Sequence, residues 1–328
     1  MDVQHLELLR ELDERGSVTA VAAATHRSPS AVSQQLKTLQ RQLGVELVQR
    51  VGRGVRLTEA GQALARASLA VSTAVAEAEA TLEAVRTGAT GVVRLAVFPS
   101  AAELLLPGFV TRMRAHAGIE VEIDDRDVSE DEFARLTADF DVVVGHRSDG
   151  VAPPDRSRLA IVALLREPLE VAMPLDHPLA GRERVTLGDV IGEPWIGVPV
   201  GFPIDRVLTA MALRAGVTPD VVHRSTHLPL LENMVAAGHG IALVPRHTSA
   251  GRARGRFHLA TLEEVRAGRH IEALMRPDRA VRPAVRVVVD ELLAEARVTE
   301  AASEEARVAS AVVSSGGADE ADAPGAVA

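Results

Sequence analysis

The sequence contains no cysteine, which removes disulfides, thiolate metal ligands and cysteine nucleophiles together. It also lacks any uninterrupted apolar run near the ~20 residues that a membrane helix requires, although 47% of its residues are hydrophobic. The amino terminus, from Met1 to Glu7, has no basic stretch followed by an apolar segment of the kind that marks a secretory signal. A soluble, cytoplasmic chain with no membrane partner is expected. Lysine is almost absent, Lys37 being the single one among 36 basic residues; this reads as the codon preference of a GC-rich genome and carries no mechanism.

Signatures of catalysis are missing as well. There is no Gly-x-Ser-x-Gly elbow, no P-loop and no His-Glu-x-x-His. Gly238-His239-Gly240 has Leu243 where a dinucleotide fingerprint needs its third glycine, and it follows a helical segment rather than a strand. His223 and His227 are spaced like metal ligands on a helix, but Pro229 follows and no third ligand is apparent. We therefore expect no enzyme, no cofactor and no metal.

What is present is segregated charge. The net charge of −9 opposes binding to a polyanion if taken as an average. Yet residues 27–56 hold Arg27, Lys37, Arg41, Arg50, Arg53 and Arg56 against Glu46 alone, a local +5. At 328 residues the chain has room for more than one domain.

The basic segment lies in a run of short helices. Leu6, Leu9 and Leu12 recur at helical spacing and stop at Gly16, so 2–15 reads as a helix; an alanine-rich one follows over about 19–25. Ser28-Pro29 looks like an N-cap and first helical residue, opening a third helix that lasts to Leu43 before Gly44. At 100° per residue, Leu36, Leu39 and Leu43 fall within about 40° of Val32, while Ser30, Ser33, Gln34, Lys37 and Arg41 spread over roughly 100–200° on the other side. One face packs and the other is free to meet base edges and phosphates in a major groove. A merely solvated face is the alternative for such a helix taken alone. The next segment favours the first reading, because Glu46–Arg50 and Val55–Thr58 flank Gly52-Arg53-Gly54 as the strands of a wing would, and Arg53 at the tip could enter a minor groove.

Ala22-Ala23-Ala24, Ser28 through Leu36, Leu43-Gly44-Val45-Glu46-Leu47, Arg50 and Leu57-Thr58-Glu59-Ala60-Gly61 together resemble the LysR-type transcriptional regulators. The pattern departs at Pro29 and Val48, where glutamine and phenylalanine are usual. Thr58 reads as the N-cap of a long helix to about Thr87, with Leu64, Val71, Ala78 and Val85 one heptad apart and Ala67, Ala74 and Thr81 between them. This is a candidate dimer seam, the alternative being a helix packed on its own domain. The resemblance implies a homodimer or homotetramer with paired linker helices on a double-stranded DNA operator, and RNA polymerase is a candidate further partner.

Beyond Gly88 and Gly91, strands at 92–98, 120–123, 141–145, 169–173, 195–198 and 241–245 alternate with helices such as 101–116, 204–215 and 228–237, which suggests parallel α/β sheets. Asp176-His177-Pro178-Leu179-Ala180 and Val235 through Pro245 also resemble the family's effector domain, a two-lobed α/β unit like a periplasmic solute-binding protein. The expected organisation is an α/β protein with a winged helix-turn-helix head at 1–58, a linker helix at 59–88, an effector domain at 89–297 and a disordered tail at 298–328. Lobe one would comprise 91–162 and 269–296, lobe two 163–268, with the ligand between them. Ser100 and Ala101 at a helix start form either a plain cap or an anion site, and the resemblance favours ligand contact. Gly201 and Phe202 before the Ile204 helix, Gly145-His146 after a strand, and Thr226 complete the expected site, with a small carboxylate as effector held by helix ends without a paired arginine. A solute-binding or enzymatic α/β protein with an accessory head, and an architectural DNA-binder without ligand, are the rival functions.

Overall fold

The computed structural model describes residues 2–52, 54–86, 88–155 and 158–316. Arg53, expected at the wing tip, lies outside the described residues. The head begins with α1 (Val3–Arg15), α2 (Val18–Ala24) and α3 (Pro29–Leu43), followed by the antiparallel hairpin β1 (Val48–Val51) and β2 (Gly54–Leu57) and the long helix α4 (Glu59–Arg86). Each boundary has a local cause. The Asp2 side chain accepts from the Gln4 N–H, Ser17 from Ala20 and Ser28 from Ala31, satisfying donors that a helix start leaves orphaned. Gly44 ends α3 in the left-handed region at φ 66°, which a residue bearing a Cβ enters only at a cost. Leu8, Leu9, Leu12, Val21, Val32, Leu36 and Leu39 form the head's core, each buried aliphatic side chain stabilising it by about 1.5–3 kcal/mol. Leu43 was expected on that stripe but is 39% exposed at the helix end.

The chain then forms β3 (Gly91–Val97), α5 (Pro99–Met113), β4 (Ile119–Asp125), α6 (Phe133–Leu136), β5 (Val142–Ser148), β6 (Ala160–Pro174), β7 (Arg184–Val185), α7 (Leu187–Val190) and β8 (Trp195–Gly197). It continues through α8 (Pro203–Ala215), β9 (Val221–Arg224), α9 (Leu228–Ala236), β10 (Ala242–Pro245), α10 (Arg246–Ala253), β11 (Phe257–Leu262), β12 (Gly268–Met275), α11 (Pro277–Ala280) and α12 (Pro283–Gly316).

Two compact units result, one from Met1–Pro99, Met113–Ala163 and Glu272–Asp290, the other from Ser100–Arg112, Leu164–Ile271 and Glu291–Ala328. In the first, β3 pairs in parallel with both β4 and β5, burying Val93, Leu95, Val142, Val143 and Val144. In the second, β6 pairs antiparallel with β10 and β11, while β11–β7 and β8–β9 are parallel. The sheets are thus mixed rather than wholly parallel, because β10 and β11 return along β6. Residues Ser100–Arg112 of α5 belong with the second unit rather than with β3–β5, and within that unit Arg112 Nε donates to Glu295 Oε2 of α12 at 3.1 Å.

The expected disorder from 298 is corrected in part, since α12 continues to Gly316. The five alanines and three glutamates of residues 298–316 are strong helix formers even where they bury little. Glu300 Oε1 accepts from the Arg166 N–H at 3.4 Å and Ser303 Oγ lies 2.6 Å from His247 Nδ1, fixing the extension to its own unit. Residues 317–328 lie outside the described part.

Candidate DNA-reading face and effector-side residues

Residue spacing places the polar residues of α3 opposite its buried stripe. Val32, Leu36 and Leu39 are buried, while Ser30, Gln34, Lys37 and Arg41 are exposed and Ser33 is half-buried. Ser28 Oγ lies 2.9 Å from Ser30 Oγ and caps Ala31, and Pro29 occupies the first helical position, where its missing N–H costs nothing. Arg41 Nη2 donates to Thr38 Oγ1 at 3.1 Å, which holds the guanidinium along the helix. Gln34, Lys37 and Arg41 line one shallow concavity with Gln40, Gly44, Val45 and Glu46.

Gln40 is a positioning residue that periodicity did not single out. Its Oε1 accepts from the Leu47 N–H at 2.8 Å and the Val48 N–H at 3.0 Å, fastening the start of the hairpin to α3. The hairpin pairs Arg50 with Val55 and Gln49 with Arg56, leaving Arg50 and Arg56 exposed. Both contributed to the local charge in the sequence and lie in the segments expected to form the wing's strands; the register adds which residue each one faces. Arg27 is held by Gln35, its Nη1 donating to Oε1 at 2.5 Å.

Along α4, Gly61, Ala65, Ser68 and Ser72 are buried, and Ser68 Oγ donates to the Ala65 carbonyl. The heptad positions Val71, Ala78 and Val85 are exposed, as are Val75 and Leu82. One face therefore packs on the chain's own head, and another apolar face is left uncovered by the described residues.

The effector-side residues are distributed over both units. Ser100 lies in the first turn of α5, with its Oγ accepting from Arg269 Nη2 at 2.9 Å. Arg269 donates through Nε and Nη2 to Glu167 Oε2 at 3.0 and 2.6 Å, and Glu167 Oε1 accepts from the N–H and hydroxyl of Thr248 at 2.9 and 2.8 Å. Glu167 is fully buried and Arg269 nearly so. An arginine thus stands beside Ser100, where none was expected, and its charge is matched by a carboxylate. Ala101 is buried.

The α8 terminus is also occupied. The Gly201 N–H donates to Asp205 Oδ2 at 3.0 Å, while Asp205 Oδ1 accepts from Arg224 Nη1 at 2.7 Å. The buried Asp205 carboxylate thus takes one of the N–H donors at which an anion was expected. Phe202 is half-buried against the core of Ile196, Val198, Leu231 and Val244. Thr226 is exposed between β9 and α9.

In the first unit, His146 meets Phe98 and Phe133 edge-on, with ring centroids at 4.7 and 4.9 Å. A Cβ at Gly145 would come within 2.9 Å of the Phe133 ring. That close approach explains the glycine by packing, whatever else the pair does. Among the described residues no helix is long and apolar enough to cross a membrane, and no group of three His, Asp or Glu is arranged to hold a metal.

Residues 3–62 match the bacterial regulatory helix-turn-helix proteins of the lysR family, and residues 86–297 match the LysR substrate binding domain. A hydrogen peroxide-inducible genes activator of Dickeya chrysanthemi is 29% identical over 246 residues, covering 75% of this chain and 79% of its own. The regulator GbpR of Rhizobium radiobacter is 31% identical over 233 residues, 67% of this chain and 76% of its own. In fold the chain is similar to a cysteine mutant of Corynebacterium glutamicum OxyR, with a TM-score of 0.57 at 21% identity, covering 93% of this chain and 95% of that one.

Proposed function

Because the chain belongs to the LysR family of DNA-binding transcriptional regulators, we propose that its operator binding or promoter activation is set by a small anionic effector, a carboxylate, taken up by the domain at 86–297. The protein is a transcriptional regulator and not an enzyme. The observation that carries the reading is the capped helix α3, whose polar edge Gln34, Lys37 and Arg41 stands in solvent over the buried Val32, Leu36 and Leu39 beside a basic hairpin. Ser30, Ser33 and Gln34 suit base edges, while Lys37, Arg41, Arg50 and Arg56 suit phosphates.

On the effector side, Ser100 with Arg269 offers a hydroxyl and a cation at the start of α5. A carboxylate that draws Arg269 Nη2 would weaken its hold on Glu167, so occupancy would be felt in the buried pairing. With no cysteine in the sequence, a thiol-based response is closed to this chain. The exposed apolar face of α4 supports assembly of two or more copies, and a cytoplasmic site of action beside RNA polymerase follows from the proposed role.

Binding of Lys37→Ala to promoter fragments recovered by genome-wide footprinting tests the reading head. The expected result is weaker binding with an unchanged melting temperature and a salt slope reduced by about one, as for a lost phosphate contact. Unaltered affinity and slope would remove α3 from the interface.

A further inference from the structure

Within the first unit, the side of α1 away from α3 carries an ionic cluster that neither the reading face nor the effector side uses. Arg276, at the junction of β12 and α11, donates through Nη1 to Glu11 Oε1 at 3.2 Å and lies 3.5 Å from Glu14. It also donates to both carboxylate oxygens of Asp278, Nε to Oδ1 at 3.1 Å and Nη2 to Oδ2 at 2.8 Å. Arg10 of α1 reaches the same Asp278 Oδ2 at 3.1 Å. Asp278 is therefore shared between an arginine of the head and one of the β12–α11 turn. Arg276 is only 3% exposed and Arg10 8%. Two flanking pairs surround the cluster: Arg15 Nη2 donates to the Ala138 carbonyl at 3.2 Å and Asp139 Oδ1 at 2.8 Å, and Arg158 lies 3.1 Å from Asp13.

Ionic pairing at this junction has a physical consequence that an apolar contact would not have. Buried ion pairs lose most of their Coulombic gain to desolvation, so a closed pair and two rehydrated ions are close in free energy. Removing one member from the closed state, by contrast, strands a buried charge. The two arginines carry that penalty here, since Arg276 and Arg10 are buried while Glu14 stands exposed at the rim of the cluster. All the while Gln34, Lys37 and Arg41 stay exposed, so the junction leaves the reading face open.

We infer that Arg10, Glu11, Arg276 and Asp278 form a clamp that fixes the DNA-reading head on the β3–β5 part of the chain in one orientation and can open as a unit. It sets where the reading face points rather than blocking it. Because α11 directly follows β12, any shift of that strand is transmitted to the clamp through Arg276. This inference rests on the head's geometry and stands independently of what the effector is.

Hydrogen exchange on the full-length protein tests it, using one substitution on each side. Arg276→Met is expected to raise exchange in residues 10–16 at least tenfold, and Arg10→Met to do the same in residues 276–282. Residues 32–43 and the strands β3–β5 should keep their protection in both. Replacing the shared pair together, Arg10→Met with Asp278→Leu, should restore protection on both sides, since no charge is left buried alone. The clamp is refuted if each substitution loosens only its own side, or if exchange spreads through α3 or β3–β5 as it would from a core defect.

Discussion

Arg269→Ala is the substitution whose cost the structure fixes most directly. It deletes two hydrogen bonds, at 3.0 and 2.6 Å, to a Glu167 carboxylate that is 0% exposed, and leaves only the two Thr248 donors to hold that charge. Breaking one side of a buried pair typically costs about 3–5 kcal/mol, because the remaining ion keeps its desolvation penalty without its partner. For a unit of this size, 1 kcal/mol shifts the melting temperature by about 2–4 °C, so a drop of about 6–20 °C is expected in calorimetry. The double substitution Arg269→Ala with Glu167→Gln removes both charges while the amide oxygen still accepts from Thr248. It should recover all but about 2 kcal/mol, giving a coupling energy of at least about 1–3 kcal/mol in the double-mutant cycle. If Arg269→Ala melts like the wild type, or if the two changes simply add, then the pairing does not stabilise this unit and Ser100 is not supported by it.

On α4, Val71→Glu with Ala78→Glu should dissociate the assembly in analytical ultracentrifugation and lower operator affinity with it, because both positions face outward at heptad spacing and like charges would be buried against the partner helix; a wild-type sedimentation profile would place the seam elsewhere. Glu14 is raised above its usual value by desolvation of its carboxyl, opposed by Arg276 and Arg10 and reinforced by Glu11 and Asp278. Protonation is thus favoured in the folded state, and the stability this provides is complete below the unfolded value and lost as pH rises through the folded one. Glu14→Gln should accordingly gain stability over the wild type above about pH 4.5, the ordinary value, and converge with it below, as denaturant titrations at several pH values would show. Truncation after Arg297 removes the Glu300 and Ser303 hydrogen bonds and should cost about 1–2 kcal/mol in thermal stability with operator affinity retained; an unchanged melting temperature would mean that the extension of α12 does not dock.

The head was legible because its determinants are local. Caps, a proline at the first helical position and terminal glycines act within four or five residues, and the 3.6-residue period fixes which side of α3 is buried. The same locality explains the partial reading of the sheet: of β6 only Leu169–Met173 was expected as a strand, whereas it runs on from Ala160 through Arg166, Glu167 and Pro168, a polar stretch whose burial depends on Arg269 supplying the charge that Glu167 needs.

By itself the sequence determined the winged head, the polar edge of its third helix, the long linker and the α/β character of the chain beyond it, since each depends on periodicity and capping between near neighbours. Only the tertiary structure decided the strand directions, the docking of the α12 extension on Arg166 and His247, the enlistment of Arg269 beside Ser100 and the joining of Arg276 to Glu11. These are pairings between residues far apart in the chain, 102 positions for Arg269 with Glu167 and 265 for Arg276 with Glu11. A charge in a sequence shows that a partner is needed if it is buried, but burial and the choice of partner are set only when the chain has folded around it.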